Sequence, residues 1–277
     1  MRGKFFAAIT LAATLLITGC GGGDKSAADK PADKPAQEVT LKIGATPVPH
    51  AELLEQVKPD LKAQGVNLEI IEFNDYVQPN IALNDKELDA NFFQHEPYLN
   101  DFVKEHKDVK LKNAGGIHIE PMGIYSKKIK DIKEITPGDS VSIPNDPTNG
   151  GRALLLLQKA GLLKLKDGAN ETATVQDIAA NPHNLIIQEV EAAQLPRTLE
   201  DVTISIINTN FAMNANLNPI NDALFIEDKT SPYVNIIAVR DGDENRDDIK
   251  KLLNALKSDK IKKFIEDKYK GAIVPAF

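Results

Sequence analysis

Residues 39–73 read VTLKIGATPVPHAELLEQVKPDLKAQGVNLEIIEF, and their periodicity decides the fold class. Val39 to Gly44 alternates large apolar and polar residues and stops at glycine, the period-2 mark of a strand. From Glu52 to Gln64 the period becomes that of a helix, with Leu53, Val57 and Leu61 on one face. Val66 to Phe73 is a second strand. The alternation continues with a short helix over Val77 to Asn84, a strand over Leu88 to Phe92 and a helix over Pro97 to His106. Strands alternating with helices predict an α/β fold on a mainly parallel sheet with both faces covered.

Toward the C-terminus the pattern restarts. Strands are predicted at Gly123 to Ser126, Ser140 to Pro144, Asn184 to Glu189, Val202 to Ile207 and Tyr233 to Arg240. A Leu-rich helix is predicted over Arg152 to Leu163, and one or two closing helices over Asp247 to Tyr269. Two successive α/β units imply two lobes joined by crossing segments. The ligand then belongs in the crevice at the carboxyl ends of the strands.

Toward the N-terminus, Arg2 and Lys4 precede an apolar run from Phe5 to Ile17. At about 13 residues it is shorter than the about 20 a membrane-spanning helix needs. A basic start, a short apolar stretch and small residues describe a secretory signal over residues 1–19. Leu16-Ile-Thr-Gly-Cys20 resembles the bacterial lipobox, whose Cys thiol receives a diacylglycerol; an ordinary signal with an incidental Cys is the alternative. Cys20 is the only cysteine, so no internal disulfide can form, and lipidation would consume an otherwise reactive thiol. Several acyl chains anchor far more firmly than one. Residues 20–38 are rich in Gly, Ala, Pro, Asp and Lys and lack any large apolar residue, which predicts a flexible tether. The formal net charge of −7 argues against nucleic acid as a partner.

Two stretches gather ligand-binding side chains. Asn91-Phe-Phe-Gln-His-Glu-Pro-Tyr98 puts three aromatics and a histidine into eight residues of a chain that is only 5% aromatic. Neighbours on extended backbone point to opposite faces, so one of Phe92 and Phe93 can pack inward while the other faces a cleft. A buried core turn is the plainer reading. Ser142-Ile-Pro-Asn-Asp-Pro-Thr-Asn-Gly-Gly-Arg152 joins a strand to a helix start, with Asn149 as a candidate cap. Backbone N–H groups at the positive end of the helix, plus the planar fork of Arg152, suit a carboxylate. A phosphate loop is the rival, but its Gly-Lys-Ser/Thr ending is missing. Asn208-Thr-Asn210 and Ser231-Pro-Tyr-Val-Asn235 add side-chain amides.

Other chemistries find little support. The five histidines, His50, His95, His106, His118 and His183, lack metal-ligand spacing, so no metal is expected. There is no Gly-x-Ser-x-Gly elbow, and the chain is not expected to be an enzyme or to carry a cofactor.

Taken together, the lipobox, Ile43-Gly-Ala-Thr-Pro-Val-Pro-His50, Asn91-Phe-Phe-Gln-His95, Asn149-Gly-Gly-Arg152-Ala-Leu and Glu227-Asp-Lys-x-Ser-Pro-Tyr-Val-Asn235 resemble the NlpA lipoprotein family. Within it they resemble the MetQ-type methionine-binding branch that feeds an ABC importer. The resemblance runs from the signal to the last residues. It implies a two-lobed periplasmic-binding-protein fold of type II with the ligand cleft between lobes. Lobe 1 would be residues 39–121 plus 237–277 and lobe 2 residues 122–236. By the same resemblance Tyr76, Phe93 and Tyr98 line the side-chain pocket with His95 beside them. Arg152, assisted by Asn145, takes the ligand carboxylate, and Asn210 and Asn235 serve the amine and carboxylate ends. The implied partners are methionine, the permease and ATPase of the importer, and a membrane reached through lipidated Cys20 on the extracytoplasmic side, the protein itself being a monomer. A Met-containing dipeptide, another apolar amino acid, or an adhesive or antigenic surface role are the alternatives.

Overall fold

The computed structural model describes residues 38–277. The expected signal, Cys20 and the tether up to residue 37 lie outside the described residues. The chain forms β1 (Val39–Ala45), α1 (Glu52–Lys62), β2 (Val66–Glu72), α2 (Gln78–Asn84), β3 (Ala90–His95), α3 (Glu96–Glu105) and β4 (Leu111–Ile119). It then crosses to build β5 (Gly123–Tyr125), β6 (Ser140–Pro144), α4 (Pro147–Lys159), β7 (Lys164–Leu165), β8 (Ile178–Ala180) and β9 (Ile186–Val190). Next come α5 (Leu195–Thr198), β10 (Ile204–Ile207), α6 (Thr209–Asn214) and β11 (Phe225–Ile226). It returns through β12 (Val234–Arg240) and closes with α7 (Asp247–Leu256), α8 (Asp259–Tyr269) and β13 (Val274–Pro275).

Two sheets result, in the orders β13-β4-β12-β3-β1-β2 and β11-β5-β10-β6-β9, with β7 and β8 as a separate ribbon. The fold is α/β and two-lobed, as expected, but the sheets are mixed. In the first, β1 runs parallel to β2 and β3, whereas β12 is antiparallel to β3 and β4, and β13 to β4. Helical connections reveal parallel pairs; returning segments such as β12 leave no such mark. β12 begins at Val234, so Val234–Ile236 pair with the first sheet, where a lobe break after residue 236 would exclude them.

Period-2 alternation separates the two faces of β12. Ile237 and Val239 join the core under α1, α7 and α8, while Ile236 and Ala238 face α2 and α3. α1 buries Leu53, Leu54, Val57 and Leu61 completely, each worth about 1.5–3 kcal/mol relative to exposure. The second sheet has its own core, built largely from Leu154, Leu156 and Leu157 of α4 against Val141, Ile143, Ile204 and Ile206. Among the described residues, no helix is long and apolar enough to cross a membrane.

β4 escaped the sequence reading. Its residues LKNAGGIHI lack alternation, and glycines 115 and 116 look like a loop. The strand needs them, because a Cβ on Gly115 would stand 2.9 Å from Leu253 of α7 and one on Gly116 2.7 Å from Val234 of β12.

Candidate functional site

Loops at the carboxyl ends of the strands converge on one cavity between the two sheets. Tyr76 follows β2, His95 ends β3 and Glu120 follows β4. From the second sheet come Asn149 and Arg152 on α4 after β6, and Asn208, Thr209 and Asn210 after β10. Asn235 enters from β12, beside His95 and His118. This is the crevice position expected for an α/β sheet.

The side toward the first sheet is aromatic. Phe92 turns into the core beneath β3 while Phe93, its neighbour on the pleat, faces the cavity. The Tyr76 ring lies 5.7 Å from those of both Phe93 and Tyr98 and 4.8 Å from that of Phe211. Tyr98 Oη donates to the Tyr76 carbonyl at 3.0 Å and fixes the corner.

The opposite side is polar. Arg152 is 3% exposed. Its Nε and Nη2 donate to the Glu227 carboxylate and Nη2 also to the Glu120 carbonyl, while its guanidinium carbon stacks 4.1 Å over the Tyr233 ring. Among the described residues Nη1 makes no hydrogen bond. Asn208 donates through Nδ2 to Asn149 Oδ1 at 2.8 Å, and Asn210 Oδ1 accepts from Tyr76 Oη at 2.6 Å. Asn208 Oδ1 and Asn210 Nδ2 are buried with no partner among the described residues. A buried polar atom without a partner costs about 1–3 kcal/mol, and both of these residues line the cavity.

Besides the Arg152 bond to the Glu120 carbonyl, side chains of the two sheets meet across the cavity at Tyr76 to Asn210, and at His95 Nε2 to Asn149 Oδ1 at 3.0 Å. His95 Nδ1 accepts from the Tyr98 amide at 3.1 Å, so the proton sits on Nε2 and the ring is neutral. Burial, reinforced by the Arg152 charge, pushes its pKa down to about 3.

Of the residues expected at the site, Tyr76, Phe93, His95, Tyr98, Arg152, Asn210 and Asn235 line the cavity. Asn145 does not: it is exposed and faces a separate groove with Asp75, Asp146 and Glu191. The helix start is also displaced. Asp146 caps α4, accepting from the Asn149 amide at 2.9 Å, so Asn149 lies in the first turn and Arg152 in the second. The Asp146 carboxylate therefore already takes the Asn149 amide at the helix start, where the sequence suggested a bound anion.

Sequence reasoning missed Gln94 and Glu120 as lining residues and left Asn149 and Asn208 without a ligand-facing role. It also missed that His50 and His118, far apart in the chain, meet at Glu120. His118 Nε2 lies 2.8 Å and His50 Nε2 3.2 Å from Glu120 Oε1. Ligand atoms of all three fall within 4.8 Å of one another, a set that could in principle hold a metal ion. Tetrahedral zinc ligands at about 2.0–2.1 Å from the metal would stand about 3.3 Å apart. The shorter contact at Glu120 instead marks shared protons. Desolvation lowers the pKa of His50 to about 4 and of His118 to about 3, and raises that of Glu120.

The model of the NlpA lipoprotein family matches residues 41–277, nearly all of the described chain. The chain belongs to the NlpA lipoprotein family. Within that family it is 42% identical over 274 residues to the D-methionine-binding lipoprotein MetQ of Escherichia coli K12, covering 98% of this chain and 97% of that protein. Among solved structures it is similar to a nutrient-binding protein from Burkholderia cenocepacia bound to methionine, at 48% identity and a TM-score of 0.83 over 86% of this chain and 100% of that one. It is also similar to an ABC transporter periplasmic substrate-binding protein from Coxiella burnetii, at 42% identity and a TM-score of 0.81 over 85% and 100% of the two chains. As an NlpA lipoprotein, then, it has the fold of the periplasmic substrate-binding proteins.

Proposed function

We propose that this chain captures methionine and hands it to a membrane ABC importer, without catalysing any reaction. The observation that carries the reading is the pairing of an aromatic wall with a zwitterion-sized set of polar atoms. Tyr76, Phe93 and Tyr98 suit a flexible, polarisable thioether, each sulfur–aromatic contact contributing about 0.3–1.5 kcal/mol. Arg152 Nη1 and Asn210 Nδ2 are donors for a carboxylate; Asn208 Oδ1 is an acceptor for an ammonium. A buried carboxylate needs such a cation.

Lobe 1 on this reading is the first sheet with its helices, lobe 2 the second, and the chain crosses between them at residues 120–122 and 227–233. The bonds Tyr76–Asn210 and His95–Asn149 tie the lobes together around the ligand and belong to the closed state. Methionine shifts the open–closed equilibrium toward that state, which the importer reads. Lipidated Cys20 anchors the monomer to the extracytoplasmic face of a membrane, and the remainder of residues 20–38 serves as its tether.

Native mass spectrometry of the purified protein, before and after unfolding and refolding, tests the reading. The expected result is an excess mass equal to methionine, lost on refolding and restored by added methionine. A protein that ignores methionine but takes up a Met-containing dipeptide overturns the substrate and keeps the binding role.

A further inference from the structure

Behind the cavity lies a chain of buried polar groups that reaches its lining only at Asn235 and Glu120. Thr46 at the end of β1 is 1% exposed, and His50, in the turn before α1, is fully buried. Thr46 Oγ1 lies 2.7 Å from His50 Nδ1, and His50 Nε2 lies 3.1 Å from Asn235 Oδ1 and 3.2 Å from Glu120 Oε1. The Phe92 ring stands edge-on to the imidazole at 4.6 Å and, with His118 at 5.1 Å, leaves it no freedom to swing.

The protons in this chain can be assigned from the acceptors. Glu120 Oε1 already accepts from His118 Nε2, so it stands as an acceptor toward His50 as well. The proton of His50 is therefore on Nε2, and Nδ1 accepts from the Thr46 hydroxyl. A proton on Nε2 in turn requires an oxygen from Asn235, which fixes the amide: Oδ1 points to His50 and Nδ2 into the cavity. Asn235 can then only donate to a ligand.

We propose that His50 is a positioning residue for ligand recognition: through Asn235 it turns an amide that could face either way into a dedicated donor for the ligand carboxylate. This rests on the methionine reading above and assigns Asn235, together with Arg152, to the carboxylate end. The ammonium is left to Asn208 Oδ1. Without His50, the Asn235 amide is free to rotate, and its donor is no longer held ready.

Calorimetric titration of the full chain in detergent, refolded to remove ligand, tests this with methionine and with methioninol, which carries CH₂OH in place of the carboxylate. His50→Gln, whose amide N–H can still reach Asn235 Oδ1, is expected to bind methionine within about threefold of wild type. His50→Leu is expected to weaken methionine by roughly 10- to 100-fold, as for a lost buried partner, and to reduce the preference for methionine over methioninol by a similar factor. Thr46→Val is a milder break that leaves the ring in place, with roughly a 3- to 10-fold loss expected on the same scale. Leu and Gln variants binding methionine equally well would overturn the proposal, as would a loss shared equally by methionine and methioninol. If the wild-type chain itself ignores methionine, the substrate reading fails first and the relay with it; if wild type binds methionine and the His50 variants bind it equally well, the relay alone is wrong.

Discussion

The two walls of the cavity are made of different material. The first sheet and its loops supply Tyr76, Phe93, His95 and Tyr98, a rigid aromatic surface held by ring contacts at 5.7 to 6.3 Å. The second supplies Asn149, Arg152, Asn208, Thr209 and Asn210, a surface of directed donors and acceptors. On the proposed reading, one lobe measures the side chain and the other the amino-acid head group. Neither wall alone holds a zwitterion with an apolar tail, so affinity appears only when they meet. The sharpest way to break the division is at Arg152. Replacing it by Ala leaves the ligand carboxylate and Glu227 without their cation, and the loss expected for a broken buried pair is about 3–5 kcal/mol, or more than 100-fold in affinity. Titration with methionine checks it, with a melting curve alongside. Undiminished binding by a folded variant would mean that the polar wall does not read the carboxylate.

Acid should damage the first wall more than the second. His50, His95 and His118 all sit on the first-sheet side and stay neutral in the fold, with pKa values near 4, 3 and 3, whereas in the unfolded chain they titrate near 6.5. Their folded values are depressed, so between about pH 6.5 and 4 the unfolded chain binds protons that the folded chain refuses. Stability then falls as pH drops, by about 1.4 kcal/mol per proton and pH unit. Glu120 and Asp146, raised by burial, act in the opposite sense and reduce the net uptake. With one to two net protons, about 2–4 kcal/mol is expected to disappear between pH 6.5 and 5. Denaturant melts across that range measure it, and His118→Asn should flatten the slope. A flat profile would mean that the histidines are charged in the fold.

A smaller effect should come from the contact that joins the walls. Tyr76→Phe keeps the ring against Phe93 and Phe211 but strands Asn210 Oδ1, an expected loss of about 1–3 kcal/mol in the ligand-bound closed form. If the bond serves closure, the loss appears in methionine affinity while the melting temperature of ligand-free protein barely moves. The reverse pattern would make Tyr76 a packing residue only.

What the sequence made legible follows the same division. The aromatic wall is contiguous in the chain, since Asn91 to Tyr98 supplies Phe93, His95 and Tyr98 together, and period-2 alternation sorts Phe92 inward and Phe93 outward. The α/β class was equally legible from residues 39–73, because amphipathic helices and alternating strands are local patterns. His50 is brought to His118 and Glu120 by β1 and β4 from a position 68 or more residues away, a distance that no spacing rule spans. β4 itself was hidden because tight packing against α7 and β12 requires glycine where a strand would ordinarily show a branched side chain. The helix start was misplaced for a simpler reason: Asp146 and Asn149 are both good caps, and Pro147 favours the earlier one by occupying the first helical position with no N–H to satisfy.

That displaced start yields the smallest prediction. If Asn149 had capped the helix, Asn145 would lie within reach of an anion at the helix mouth, as the family resemblance implied. With the cap at Asp146, Asn145 is the last loop residue before it, exposed and turned toward a groove outside the cavity. Its amide donates to Val190 across the sheet through the backbone alone, and Ala preserves that bond. Asn145→Ala should therefore change methionine affinity by less than about twofold and stability by no more than about 0.5 kcal/mol, the usual range for a surface substitution. Asn149→Ala, one helical turn away, should do far more, because Asn149 Oδ1 receives both His95 and Asn208 and its Nδ2 holds the Asp146 carboxylate. Measured side by side, the pair separates a site built on the helix N-terminus from one built on amide side chains: equal losses would restore Asn145 to the ligand, and unequal ones leave the polar wall resting on Arg152 and the amides that surround it.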